Sequence, residues 1–221
     1  MLPGNCLLAT CPHCGEKKEL LQLLSGNTLH SKFWSDFKVV YPMLLSLSAI
    51  QRCPACGHYF FLSDAKLEEG DDYSFDLGNL SFDEAVEAFN ELNGCFGEKY
   101  EELVFVVIWA FNDMYRNGET PTEEQVAVFR NMMSNILEQK EDTWISHLFI
   151  WLPPVSKIFK RKRFSVNRLL RAELCREIGE FEKCIRILNR SRPFMKHLAR
   201  LKKEILKKAE ERDCKVFVME Q

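Results

Sequence analysis

The chain has no apolar stretch that reaches the roughly 18 residues needed to cross a bilayer. Its opening, MLPGNCLLATC, has neither the basic segment nor the apolar run of a secretory signal. It also lacks the short patterns that mark common catalytic sites: there is no P-loop, no GxGxxG, no GxSxG and no HExxH. These absences point to a soluble, cytoplasmic protein that is not an enzyme. The composition is that of a globular domain, 46% hydrophobic and 28% charged. Seventeen phenylalanines and four tryptophans provide ample core material.

A disulfide framework is missing as well, although nine cysteines are present. Four of them form two matching pairs, Cys11-Pro-His-Cys14-Gly and Cys53-Pro-Ala-Cys56-Gly. The other five, Cys6, Cys95, Cys175, Cys184 and Cys214, are odd in number and scattered through helix-like segments. They read as small buried hydrophobes in a reducing compartment. In each pair two thiolates separated by two residues can reach one ion from a single tight turn, and two such pairs complete a tetrahedron. Proline presets φ for that turn, and glycine accepts the left-handed conformation that follows. We therefore expect one structural Zn²⁺ held by Cys11, Cys14, Cys53 and Cys56. A redox dithiol is the competing reading of a single CxxC, but it calls for a βαβ context that this sequence does not show. His13 and His58 flank the ligands and are expected to be exposed turn residues.

Charge is unevenly spread. Residues 1–63 carry five basic and three acidic residues, residues 64–142 five basic and twenty acidic, and residues 143–221 twenty basic and nine acidic. Such an asymmetry suits either an electrostatic partner surface or two regions that face each other.

Short apolar runs at 5–10, 19–24, 48–52 and 58–62 flank the two knuckles and predict two small hairpins. The aromatic connection between them, with Phe33, Trp34 and Phe37, is expected to pack over the knuckles. Residues 66–79 read as an acidic linker. Helices then follow. Ser81 and Glu84 form a capping box ahead of Phe82, Ala85, Val86 and Phe89. The stretch from Leu103 to Phe111 is apolar on nearly every side, as in a buried helix. Thr120 and Pro121 start a third helix, with Thr120 as its cap and Glu123 as N3. Residues 143–164 join an aromatic run to the basic cluster Lys157, Lys160, Arg161, Lys162 and Arg163. The final helix, from about 194 to 212, carries Leu198, Leu201, Ile205 and Ala209 inward, and KVFVMEQ alternates like a short strand that would add to the knuckle sheet.

Residues 166–193 have the spacing of a tetratricopeptide (TPR) repeat: small Ala172 and Cys175, Gly179 at the turn, Phe181 after it, then Cys184, Leu188 and Ser191. Arg168 stands where that motif has a bulky aromatic, and Pro193 closes it early. With the two knuckles, this pattern resembles uncharacterised bacterial proteins that join a zinc ribbon to TPR-like helices. The resemblance implies a scaffold-like role and supplies no catalytic residue. The expected architecture is α+β and mostly α: a zinc ribbon over 1–65, a linker over 66–79, a TPR-like helical domain over 80–213 and a tail over 214–221.

The leading functional expectation is a zinc-stabilised module that binds a protein partner. Nucleic-acid binding through the basic C-terminal third, including Lys157, Lys160, Arg161, Lys162 and Arg163, is the alternative. An enzyme would have to draw on carboxylates at helical spacing, namely Glu84, Glu87, Glu91, Glu101, Glu102 and Asp113, which ordinarily are solvated helix faces.

Overall fold

Each cysteine pair sits in the loop of an antiparallel hairpin. Strands β2 (Leu7–Thr10) and β3 (Lys17–Leu20) enclose the first pair. Strands β7 (Ile50–Arg52) and β8 (Tyr59–Phe61) enclose the second. These are the two hairpins the apolar runs predict. Three further short strands, β1 (Leu2–Pro3), β4 (Leu23–Ser25) and β5 (Lys32–Phe33), precede β6 (Val39–Val40); β1 pairs with β4 and β5 with β6. Residues 66–69, expected to lie in a linker, instead form β9 (Lys66–Glu69). It pairs antiparallel with β2 and makes β2 the centre of a three-stranded sheet. Glu68 helps fix this strand, because both Lys17 and Lys66 lie 2.6 Å from its carboxylate and hold it down to about 2.

Six helices follow among the described residues: α1 (Phe82–Leu92), α2 (Glu98–Arg116), α3 (Glu123–Glu138), α4 (Lys157–Glu177), α5 (Phe181–Arg190) and α6 (Lys196–Glu210). The fold is α+β. The computed structural model describes residues 2–44, 47–138, 157–191 and 196–219, and of 157–165 the backbone alone. The aromatic run ahead of Pro153 lies outside the described residues, as do the side chains of Lys157, Lys160, Arg161, Lys162 and Arg163. No helix among the described residues is long and apolar enough to cross a membrane.

The helix boundaries follow local chemistry. Ser81 and Glu84 form the expected capping box, the Ser81 Oγ accepting from Glu84 N and the Glu84 carboxylate accepting from Ser81 N. The cap of α3 lies two residues later than the sequence suggests. Thr122 Oγ1 accepts from Gln125 N at 3.2 Å, and Gln125 Oε1 accepts from Thr122 N at 3.1 Å, so Thr122 rather than Thr120 is the cap and Pro121 precedes it. Glutamine at N3 completes a capping box as well as glutamate does. Helix α2 is buried on nearly every side: Leu103, Val104, Val107 and Ile108 are fully enclosed.

The chain divides into two compact units, one of Met1–Lys32 and Val39–Phe111, the other of Phe33–Lys38 and Asn112–Gln221. In the first unit, Ile50, Tyr59 and Phe61 of the second hairpin form a core with Ala88 of α1 and Leu103 of α2. Helix α1 therefore belongs with the knuckles. In the second unit, α4 and α5 form a helical hairpin turned at Gly179, whose φ of 85° suits a residue without Cβ. Ala172, Cys175, Cys184 and Leu188 are fully buried in that unit, which is what the small-residue pattern requires. Burial raises the Cys175 thiol to about 11 and the Cys184 thiol to about 12, so neither acts as a nucleophile at neutral pH. The inward stripe of α6, Leu198, Leu201, Ile205 and Ala209, is buried as expected.

Two expectations are corrected in this unit. Phe33–Lys38 belongs to the second unit and not to the unit of the knuckles, and the described part of the C-terminal tail is in none of the knuckle sheets. They pair with each other: Ser35 N donates to Phe217 O at 3.0 Å, Met219 N donates to Phe33 O at 2.8 Å, and Trp34 bridges Val218. Two buried arginines explain why. Arg116 of α2 pairs with Asp36 and stacks 4.9 Å over the Trp34 ring. Arg176 of α4 holds Glu173 through two hydrogen bonds of 2.8 and 2.5 Å, donates to Asp213 O and lies 5.3 Å from the Phe217 ring. One arginine secures the inserted segment and the other the tail.

Enclosed with them is a surplus of acid. Asp36, Glu173 and Glu177 are buried against two arginines, and Asn112 Nδ2 donates both to Asp36 Oδ2 (3.0 Å) and to Glu177 Oε1 (3.2 Å). Burial pushes the Glu177 carboxyl well above its usual range, with the negative charges of Glu173 and Asp36 adding to the effect. Burial also raises Asp36, against the pull of Arg116. A proton shared by this cluster balances the charge. Carboxyls raised in the folded state contribute stability that is complete below the ordinary carboxyl range and is lost as pH rises through their folded values. Glu177→Gln is accordingly expected to flatten the decline in urea midpoint that the wild type shows as pH rises above the ordinary carboxyl range. Identical profiles would show that the proton is held elsewhere. Asp36→Ala, which strips the pair from Arg116, is expected to cost about 3–5 kcal/mol in the same titration.

Candidate metal centre

The two knuckles are built alike. In the first, Cys11 N donates to Glu16 O at 2.8 Å and Gly15 N to Cys11 O at 3.0 Å. In the second, Cys53 N donates to His58 O at 2.9 Å and Gly57 N to Cys53 O at 3.0 Å. Gly15 and Gly57 both adopt left-handed conformations, φ 78° and 77°, which is why glycine follows each second cysteine. The shared turn aims both thiols of a pair in one direction. Cys11 and Cys53 are buried, and Cys14 and Cys56 are exposed. Beneath them lies a small apolar layer of Phe60 and Ala65.

All four sulfurs lie within 4.8 Å of one another, with Cys14–Cys53 at 3.5 Å and Cys11–Cys56 at 3.9 Å. A tetrahedron with metal–sulfur bonds of about 2.3 Å has edges of about 3.8 Å, so the four cysteines fit one ion. Their electrostatics point the same way. Burial raises the Cys53 thiol, but the peptide N–H groups of Cys56 and Ala55 outweigh it and bring the group down to about 7. The Glu16 N–H favours the Cys14 thiolate, yet Cys53 and Cys56 beside it push that thiol up to about 12. The Cys53 thiolate is favoured while the Cys14 and Cys56 thiols beside it are held up, because negative charge would accumulate in one small volume. A divalent cation removes that conflict.

His13 and His58 are exposed beside the ligands, as expected, and their rings stack 4.8 Å apart. His58 does more than occupy a turn. Its Nδ1 lies 2.8 Å from Glu91 Oε1, and that same oxygen accepts from Tyr59 N at 3.3 Å. Tyr59 Oη donates to Glu87 Oε2 at 2.8 Å, and Arg52 Nη1 lies 3.5 Å from Glu84 Oε1. Three of the carboxylates singled out in the sequence thus form one row on α1 that fastens the helix to the second knuckle. Burial and then Glu87 raise the Tyr59 phenol to about 12, so it remains a donor. The other three are dispersed. Glu101 is buried on α2, burial raises the half-enclosed Glu102, and Asp113 lies in the other unit with Lys38 and Arg116 at 2.6 and 2.7 Å.

Beside the second knuckle is a cleft of about 350 Å³, lined by Lys18, Arg52, Cys53, Asp76, Gly78 and Glu84 among others. Lys18 lies 3.4 Å from Asp76. Arg52 is likewise paired, with Glu84 at 3.5 Å, so each cation of the cleft faces a carboxylate. Sequence reasoning missed both this arrangement and the buried Asp36, Asn112, Glu173, Arg176 and Glu177 of the second unit. The one signal for the latter was the spacing of Glu173 and Arg176, three apart on a helix. No protein-family model, curated protein or solved structure matches the chain.

Two measurements follow. Elemental analysis of purified protein is expected to find one metal ion per chain, and Cys53→Ser is expected to lose it together with the amide dispersion of residues 6–62; a metal-free wild type would refute the site. Glu87→Gln combined with Glu91→Gln weakens the contact between α1 and the second knuckle. Each exposed contact of this kind contributes about 1 kcal/mol or less, so the variant is expected to surrender its metal to a chelator several-fold faster, with stoichiometry unchanged.

Proposed function

We propose that the protein is a zinc-stabilised interaction module with no chemistry of its own at the metal, acting by presenting a surface to a protein partner. Four cysteine ligands leave zinc no open position for water or substrate. The carboxylates Glu84, Glu87 and Glu91 hold α1 in place. The helical hairpin α4–α5, with close-packed Ala172, Cys175 and Cys184, supports a TPR-like reading of the second unit and the scaffold role that goes with it.

The observation that carries the proposal is apolar exposure. Among the described residues, Tyr73, Phe75 and Phe96 of the first unit stand out at 66%, 82% and 88% exposed. Large exposed aromatics are costly in solution and are the side chains that anchor protein interfaces. Asp71, Asp72 and Asp76 surround the first two, so the partner surface that fits is apolar with a basic rim.

The test is affinity capture with the full-length wild type beside Phe75→Ser combined with Phe96→Ser, both checked for metal content. A partner retained by the wild type and reduced at least tenfold by the double variant supports the reading. Equal recovery by both would overturn it.

A further inference from the structure

Helix α6 carries its cations in an ordered row. Lys196, Arg200, Lys203 and Lys207 are all exposed. At 100° per residue their 4–3–4 spacing places them within an arc of about 60°, opposite the buried stripe of Leu198, Leu201, Ile205 and Ala209. The row is about 16 Å long at 1.5 Å per residue. Lys196 and Lys203 have no ion pair among the described residues, Arg200 has an interaction of its own, and Lys207 lies 4.0 Å from Glu211. The remaining lysines of the helix are committed: Lys202 donates to Ser191 O at 2.9 Å, and Lys208 lies 2.9 Å from Asp213. Glu204 is half-buried off the row, and Glu210 and Glu211 close its C-terminal end.

We propose that this face of α6 docks on the phosphate backbone of duplex DNA, without reading its sequence. The apolar side of the helix is spent in the core, so α6 has nothing to insert into a lipid surface. Its exposed face has no Phe, Tyr or Trp on which single-stranded bases could stack. A helix about 10–12 Å across matches the width of the B-form major groove, whereas the narrow groove of A-form RNA excludes it. Duplex DNA offers about one charge per 1.7 Å, and a straight row of four cations meets several phosphates at once. The acidic residues of the chain do not prevent this, because at physiological salt charges separated by more than about 8 Å are largely screened. The inference does not depend on the protein-partner reading, which rests on other residues in the other unit.

The experiment is fluorescence anisotropy of a mixed-sequence DNA duplex of about 20 base pairs, roughly two helical turns, titrated with the full metal-loaded chain at about 50 and about 200 mM salt. With four phosphates neutralised, the fourfold rise in salt is expected to weaken binding about 100-fold. Replacing Lys196, Arg200, Lys203 and Lys207 together by Gln is expected to abolish measurable binding, with far-UV circular dichroism and metal content unchanged. Exchanging Lys196, Lys203 and Lys207 for Arg keeps the charge and is expected to retain it. No binding at the lower salt, equal binding by the Gln variant, or preferential binding to duplex RNA, to vesicles rich in phosphatidylserine or to polyglutamate would each overturn the proposal.

Discussion

Four sulfurs held within 4.8 Å of one another concentrate the ligands of one tetrahedral ion in a small volume, and the first unit is arranged around that constraint. Two identical turns bring the sulfurs together, each closed by a glycine in the left-handed region. Every strand pairing that matters to the site follows from those turns. The first knuckle fixes the register of β2 on β3, β2 then templates β9, and the second knuckle fixes β7 on β8. The apolar material beneath the sulfurs is thin, Phe60 and Ala65 beside Cys11 and Cys53. Such a segment cannot hold its shape by burial alone, and a bound metal contributing on the order of 10–16 kcal/mol would dominate its stability.

The second unit faces the same electrostatic problem and answers it with protons and arginines. Asp36, Glu173 and Glu177 are enclosed near one another, as the thiols are. Here the compensation comes from the two guanidinium groups, from an asparagine amide shared by two carboxylates, and from burial that raises the Glu177 carboxyl and favours its protonated form. The cost of burying an unbalanced charge makes such clusters all-or-none: removing one member leaves the rest uncompensated. That explains why Phe33–Lys38, distant in sequence from the helices, is fixed among them. Asp36 draws the segment in, Phe37 accepts a left-handed φ of 65° within its turn, and the tail from Asp213 to Met219 closes over it.

Much of this architecture was legible in the sequence because it depends on short-range rules. CPxCG pairs, the Ser81–Glu84 box, the inward stripe of α6 and the small residues around Gly179 are patterns whose physics acts within a few residues, and each appears in the structure where the pattern places it. What the sequence concealed depends on long-range pairing. Nothing in the acidic run at 66–69 distinguishes a linker from β9, since the strand exists only because β2 offers an edge. Nothing in WSDF marks Asp36 as a buried ion-pair partner of Arg116, eighty residues on. The Thr120 cap misread had a local cause: two threonines flank Pro121, and only the position of Gln125 decides between them. The carboxylates of α1 were visible as a row, but the hairpin that uses them was not.

That last point bears on where function can reside. A helix with acidic residues at i, i+3 and i+7 offers the same sequence whether it binds substrate, faces water or fastens to a neighbouring hairpin. Here Arg52, Tyr59 and His58 take up one carboxylate each. Groups engaged in this way are poor general acids or bases, because any proton transfer would weaken the contact that positions them. The cysteine cluster is constrained for a parallel reason: an ion held by all four sulfurs would have its tetrahedral positions filled by protein. The carboxylates of α1 and the buried acids and arginines of the second unit are thus occupied with holding the chain together, whereas folding leaves exposed the aromatic side chains Tyr73, Phe75 and Phe96 and the cationic edge of α6.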